Sequence, residues 1–237
     1  MTGLNGNRFL SETVIILEEC VSYSAAWALQ SQLHSERLQG IRPDTILILE
    51  HEPVYTLGRG TQRSHWGGNE AFLRATGSDL CYVNRGGSVT YHGPGQIVVY
   101  PIFELAGYAS GPRRFVWLIE ETILHLLQRS HIQGHRVEKQ PGIWVLCPEP
   151  AKIASIGIRV DHGVTMHGFS LNVDMDLTPF ERIHPCGLEN GRMTSMAEVT
   201  NSRLNVQDIK RELADIASEV FSVQSSTDSR CPLPCQA

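Results

Sequence analysis

The chain has 237 residues, of which 41% are hydrophobic and 19% charged, enough for one large domain or two small ones with a sizeable core. A formal charge of -5 with no dense Lys/Arg run excludes the basic footprint of a nucleic-acid binder. Met1 to Glu12 lacks a basic region followed by an apolar run, and no apolar stretch approaches a membrane span, which reads as an unsecreted cytoplasmic protein with no membrane partner.

In chain order, Ser24 to Gln39 carries helix formers and stops at Gly40, and Thr45–Leu49 is a short β-branched apolar run typical of a buried strand. Leu80–Asn84 and Ile97–Phe103 read as further strands, so the glycine-rich stretch between them is a strand-to-strand loop. That argues against a dinucleotide or Walker-type turn, which opens a helix. Pro112 starts an amphipathic helix to about Arg129, with Phe115, Ile119, Ile123, Leu126 and Leu127 near one face. Gly142–Cys147, Lys152–Val160 and Val164–Val173 read as strands, the last two joined by a turn at Asp161-His162-Gly163. A final helix runs from Val206 to about Phe221, capped by Asn205. The expectation is an α/β (α+β) fold, a mixed sheet flanked by helices, without internal repeat or long linker. Residues 1–224 form a single domain, and 225–237 are a disordered tail.

The densest chemistry lies in Arg85-Gly86-Gly87-Ser88-Val89-Thr90-Tyr91-His92-Gly93-Pro94-Gly95-Gln96, where four glycines clear side chains from the backbone and polar residues alternate with them. Alternation along Lys152–Val160 sets Lys152 on one face with Ala154, Ile156, Ile158 and Val160, and burial there disfavours the charged amine, a route to a lysine base. By the same count His167 shares a face with Phe169 and Leu171, and a hydrogen-bonded core histidine is the blander reading. Of six scattered cysteines, with no C-x-x-C pair, Cys186 sits in the bend Pro185-Cys186-Gly187. Most free cysteines are inert buried hydrophobes. Here a nearby cationic candidate and a glycine-rich loop allow a thiolate nucleophile, and His92, His167, His184 and Lys152 remain rival bases. Leu57–Arg63 lacks the Lys-Ser/Thr of a phosphate loop, and its arginines read as surface or pocket-mouth residues. No metal-ligand set is apparent.

Four ordered motifs closely resemble the lipoyl(octanoyl) transferase family: the Arg85–Gln96 run, Lys152-Ile153-Ala154-x-Ile156-Gly157, His167-Gly168-x-x-Leu171-Asn172-Val173, and Phe180 with Pro185-Cys186-Gly187. The similarity runs from about His51 to about Val199. It implies a fold like that of biotin and lipoate-protein ligase catalytic modules. The implied activity moves an octanoyl group from octanoyl-acyl carrier protein to a lysine of lipoyl domains in 2-oxoacid dehydrogenase E2 subunits or of the glycine-cleavage H protein. The family's acyl-carrying cysteine falls on Cys186 and the lysine that lowers its pKa on Lys152. The family's substrate contacts fall on Arg85, Gly86, Gly87, Ser88, Val89, Thr90, Tyr91 and His92, on Ser155, Ile156 and Gly157, and on Gly168, Phe169 and Ser170. No cofactor is implied. Tyr91, Ile156 and Phe169 are candidate walls of an acyl tunnel, and docking of acidic partners calls for a local basic patch among Arg59, Arg63, Arg113 and Arg159. The competing readings are an ATP-dependent ligase of the same fold, which needs no nucleophilic cysteine, and a non-catalytic relative that only binds lipoyl domains or acyl carriers.

Overall fold

The computed structural model describes residues 13–184 and 192–227. Strand β1 (Thr13–Val21) leads into helix α1 (Tyr23–Leu38), whose first turn is capped by Ser22 Oγ accepting from the Ala25 N–H. Strand β2 (Thr45–His51) is buried throughout and is followed by the short β3 (Val54–Leu57), the one-turn α2 (Glu70–Arg74) and β4 (Asp79–Tyr82). Then come β5 (Val89–His92), β6 (Gln96–Ile102) and α3 (Pro112–Arg129). Strands β7 (His135–Val137), β8 (Gln140–Cys147), β9 (Glu149–Asp161) and β10 (Val164–Asn172) follow as successive antiparallel neighbours. The chain closes with α4 (Met196–Thr200) and α5 (Val206–Thr227).

Seven strands form one sheet in the order β1-β2-β6-β10-β9-β8-β7, parallel only between β1 and β2. A second sheet of three strands has the order β4-β3-β5. Helices α3 and α5 bury one face of the large sheet, with Phe103 packed against Tyr108 and Phe221 at ring-centroid distances of 4.6 and 4.9 Å. Helix α1 covers the other face, placing Ala26 and Leu33 on Leu47, Leu49 and Val98. Strand β5 runs from the small sheet through Gly93–Gly95 into β6 of the large one, so the two sheets meet at one short turn.

The structure shows the mixed sheet flanked by helices that the sequence predicts. Pro112–Arg129 is helical as read, and Phe115, Ile119, Ile123, Leu126 and Leu127 are fully buried. The β9–β10 turn has His162 at φ 49° and Gly163 at φ 86°, the paired left-handed conformation of a tight hairpin. The last helix continues six residues past Phe221 to Thr227. Four strands escape the sequence reading, among them β7, whose three residues are too few to show a period. Strand β1 is an edge strand whose Glu18, Glu19 and Cys20 are exposed, which erases alternation. Strands β3 and β5 have four residues each, and every one is buried on both faces, so neither shows a period of two. The stretch after Arg85 is therefore only partly a loop: Val89–His92 is a strand of the small sheet.

Candidate active site

The site forms where the small sheet, the β9–β10 hairpin and the segment Arg85–Ser88 meet. That segment is held on both sides: the Gly86 N–H donates to Ile158 O at 3.1 Å, and the Arg59 and Gly60 N–H groups donate to Arg85 O and Gly87 O at 3.1 and 2.9 Å. Gly87 has φ 79°, a left-handed conformation that disfavours any side chain. The Arg85 guanidinium turns inward, donating to Thr56 O and Thr56 Oγ1 at 2.8 Å each and to Gly86 O at 3.0 Å.

Two breaks in strand alternation shape the pocket. In β9, Ala154 pairs with Ile143 while Lys152 pairs with Trp144, so Ile153 is the extra residue of a β-bulge. Ile153 and Ala154 both join the core beneath α3 and α5, together with Ile143 and Val145. Lys152 therefore leaves the face of Ala154 and Ile156 on which simple alternation places it, and faces the side of Trp144, with its Nζ 5.5 Å from the indole centroid. It is 3% exposed. In β10, His167 adopts φ 57°. That reverses its direction relative to Phe169, so it packs against Tyr100 and Trp27 on the α1 side, and not beside Phe169 and Leu171 in the other core.

The cavity is lined by Arg85, Gly87, Ser88, Val89, Thr90, His92, Ser155, Ile156, Gly157, Gly168, Phe169 and Ser170. Gly86 instead lines an adjoining groove that shares Gly87, Ser88, Ile156 and Gly157 with the cavity and reaches Lys152. Tyr91 does not reach the cavity: it packs on Tyr55 and Phe180 in the small sheet's own core, at 5.1 and 5.7 Å between centroids. Strand alternation separates it from Thr90 and His92. The sequence reading missed Tyr23, Val98 and Tyr100, which also line the cavity. The alternation of Val98 and Tyr100 along β6 was the available signal.

Three buried histidines surround the inner end. His92 is held between Gln96 Oε1 at 2.6 Å and Thr56 Oγ1 at 3.4 Å, and desolvation pushes its pKa well below the usual value. Burial lowers His51 to about 4 and His167 to about 3. His51 bonds to Val21 O and the Tyr100 hydroxyl, and His167 to Asn84 Oδ1 at 2.6 Å. All three are neutral near pH 7. Because Gln96 Oε1 can only accept, the His92 proton sits on Nδ1, and its Nε2 is occupied by Thr56; this histidine is committed to its neighbours. Two hydroxyls of the cavity wall, Thr90 Oγ1 and Ser155 Oγ, are buried without a protein hydrogen-bond partner. A bound polar group would satisfy both.

A chain of hydrogen bonds runs from His92 to the lysine. Gln96 Nε2 donates to Asn172 Oδ1 at 2.8 Å, Asn172 Nδ2 to Thr194 O at 2.8 Å, and the Thr194 N–H to Lys152 O at 3.0 Å. The Lys152 N–H donates in turn to Arg192 O at 2.8 Å. Gly142, at φ 119°, passes so close that a Cβ there would lie 2.6 Å from Lys152 Cε. Cys186 lies outside the described residues, but the chain on either side of its segment is fixed: the His184 N–H donates to His65 O at 2.7 Å, and Arg192 and Thr194 bracket Lys152. Of the cysteines within the described residues, burial raises the pKa of Cys20 and Cys81, opposite to what a nucleophile needs. Among the described residues no group of acidic, His or Cys side chains could hold a metal ion, and no helix is long and apolar enough to cross a membrane.

A family model described as the lipoyl protein ligase A/B catalytic domain matches residues 22–217. An octanoyltransferase of Chloroflexus aurantiacus is 39% identical over 88% of this chain and 94% of its own length, and one of Caldicellulosiruptor saccharolyticus is 40% identical over 87% of each. Among solved structures, P. falciparum LipL1 in complex with lipoate superposes with a TM-score of 0.69 at 11% identity, covering 93% of this chain and 65% of that longer one. The bipartite lipoate protein ligase of Thermoplasma acidophilum gives 0.64 at 12% identity over 92% and 95% of the two chains. Biotin protein ligase of Aquifex aeolicus gives 0.53 at 11% over 92% and 72%. These likenesses establish the fold.

Proposed function

Because the chain belongs to the lipoyl protein ligase A/B catalytic domain family, we propose that it is an octanoyltransferase that moves an octanoyl group from octanoyl-acyl carrier protein to a lysine of lipoyl domains. The Cys186 thiolate attacks the thioester carbonyl, and as the new thioester forms on Cys186 the carrier's sulfur takes a proton from the Lys152 ammonium and leaves as the thiol, so that Lys152 is left as the neutral amine. The ε-amine of the acceptor lysine then attacks that thioester, passes a proton to Lys152, and leaves as an amide while Cys186 returns to the thiolate. Exchanging a thioester for an amide is downhill, so the transfer needs no ATP.

The observation that carries this reading is the buried lysine at the end of a groove that joins the cavity, with the chain flanking Cys186 tied to both Lys152 and His65. A free thiol near pKa ~8.5 is only a few per cent ionised at neutral pH, and a neighbouring ammonium raises that fraction. The commitment of His92 and His167 to internal hydrogen bonds, and their depressed pKa values, favour Lys152 over a histidine for this role. Val89, Val98 and Phe169 offer apolar wall to the acyl chain, and the unpartnered Thr90 and Ser155 hydroxyls offer donors to its polar end.

The purified protein is incubated with octanoyl-acyl carrier protein without ATP, and its intact mass is recorded beside that of Cys186→Ala. A gain of one octanoyl group in the wild type, removed by hydroxylamine and missing in the variant, is the expected result. Octanoylation of a lipoyl domain only with free octanoate and ATP would instead assign the ligase chemistry of the solved relatives.

A further inference from the structure

The groove that reaches Lys152 opens between the N-terminal turn of α3 and the turn joining β7 to β8, with Val116 on one wall and Lys139, Gln140 and Pro141 on the other. The first turn of α3 is electrostatically odd. It begins Pro112-Arg113-Arg114, with no acidic residue and no side-chain cap, although the positive end of a helix favours anions. Neither arginine forms an ion pair among the described residues, in a chain whose net charge is -5. Arg113 stands one turn before the groove-lining Val116 on the same helix face. Arg114 lies over the partly exposed ring of Trp117 at 3.9 Å, and Arg136 approaches the same ring at 5.1 Å. The acids nearby are spoken for: Glu120 and Glu121 bind Arg136, and Glu138 pairs at 3.6 Å with Lys139 in a fully solvated contact worth little.

We propose that this rim is the docking surface for the acyl donor, an acidic carrier protein whose thioester hangs on a flexible phosphodiester-linked arm. The arm lies in the groove with its thioester toward Lys152, and Arg113 and Arg114 meet the phosphodiester and the acidic surface around it. Two like charges at the positive end of a helix are destabilising when unoccupied, and an anion there relieves both the repulsion and the dipole. Arg63 lines a separate cleft whose walls include the acid Glu70 and not Lys152, so it offers no path for the arm. The inference rests on the transferase reading above.

The test compares wild type with Arg113→Glu/Arg114→Glu in three separated steps: acylation by octanoyl-acyl carrier protein, acylation by the small uncharged octanoyl N-acetylcysteamine thioester, and transfer from the preformed acyl-enzyme to a lipoyl domain. Acid in the first turn suits the helix dipole, so the variant keeps or gains thermal stability and a lost rate does not reflect unfolding. The expected result is a fall of about tenfold or more in acylation by the carrier, with the salt sensitivity of the wild type lost, while the other two steps stay within about twofold. An unchanged carrier step overturns the proposal. So does a loss confined to the lipoyl-domain step, which would assign the rim to the acceptor. An equal loss with the small thioester would make the arginines part of the chemistry. If the wild type itself takes no acyl group from the carrier, the transferase reading fails first, and the comparison of variants is then empty.

Discussion

The two faces of the seven-stranded sheet are built from different chemistry. Beneath α3 and α5 the sheet meets a continuous apolar core in which Phe103, Phe115 and Phe221 interlock. On the α1 side, aliphatic residues share the buried space with Tyr23, Tyr100, His51 and His167, and Arg85 and His92 follow toward the pocket. The first face is held by area removed from water, which is non-directional and tolerant of exchange at constant volume. The second is held by hydrogen bonds whose partners are individually irreplaceable, because each buried polar group left alone carries its full desolvation penalty. Stability resides mainly in the first face and the polar part of the site in the second, while Phe169 and Ile156 carry the apolar face to the cavity wall.

Substitutions can separate the two. Phe103→Ala on the apolar face should lower unfolding free energy by about 3–5 kcal/mol, measured by urea denaturation, with the rate per folded molecule unchanged. A comparable loss of specific activity would show that the faces are coupled. Lys152→Ala should reverse that pattern. Its thioester-forming rate should drop about 10²–10³-fold in single-turnover mass measurements, with the fold retained in circular dichroism. Near-normal acylation would remove the lysine from the mechanism and return attention to the histidines. Gly142→Ala tests how closely β8 must pass Lys152: at φ 119° the new Cβ would run into Ala154 O as well as crowd Lys152 Cε at 2.6 Å, so a loss of about tenfold in the same assay is expected together with lowered thermal stability.

A further effect is in pH. In the unfolded chain His51 and His167 titrate near ~6.5, while in the folded protein burial holds them at about 4 and about 3. Between these values the unfolded state binds more protons, so stability falls as pH drops below ~6.5, by up to about 1.4 kcal/mol per pH unit for each group. The loss from each is complete near its folded value. Denaturation curves of His51→Gln between pH 6.5 and 4 should show the slope reduced by about one group's share. An unaltered slope would mean that His51 does not titrate on unfolding as its burial requires.

The same division explains what the sequence revealed. The amphipathic period of α3 and the β-branched run of β2 are direct prints of an apolar face, and both elements appear where those patterns put them. Around the pocket, the Arg85–His92 run and Lys152 stood out by their own chemistry, whereas Ser155–Gly157 and Gly168–Ser170 were named only through the family resemblance. The directions of these side chains were not legible. The bulge at Ile153 and the left-handed His167 each reverse alternation, and neither involves a glycine or proline that would mark it. Tyr91 was misdirected for a related reason: the four-residue strand that carries it is buried on both faces, so nothing in its composition tells which neighbour faces the pocket. The depressed pKa values of the histidines, likewise, belong to surroundings assembled from distant segments.

The hydrogen-bond chain from Thr56 through His92, Gln96, Asn172 and Thr194 to Lys152 draws on residues spread along most of the chain. No fragment emerging during synthesis contains all of them. On the proposed mechanism, the surroundings that would make the thiol reactive exist only when the small sheet, both central strands and the segment before α4 have come together. An acyl donor met earlier would find an ordinary cysteine of ordinary reactivity. The nascent chain is thus protected from premature acylation by its own topology, and competence to accept the acyl group becomes a report that folding has finished.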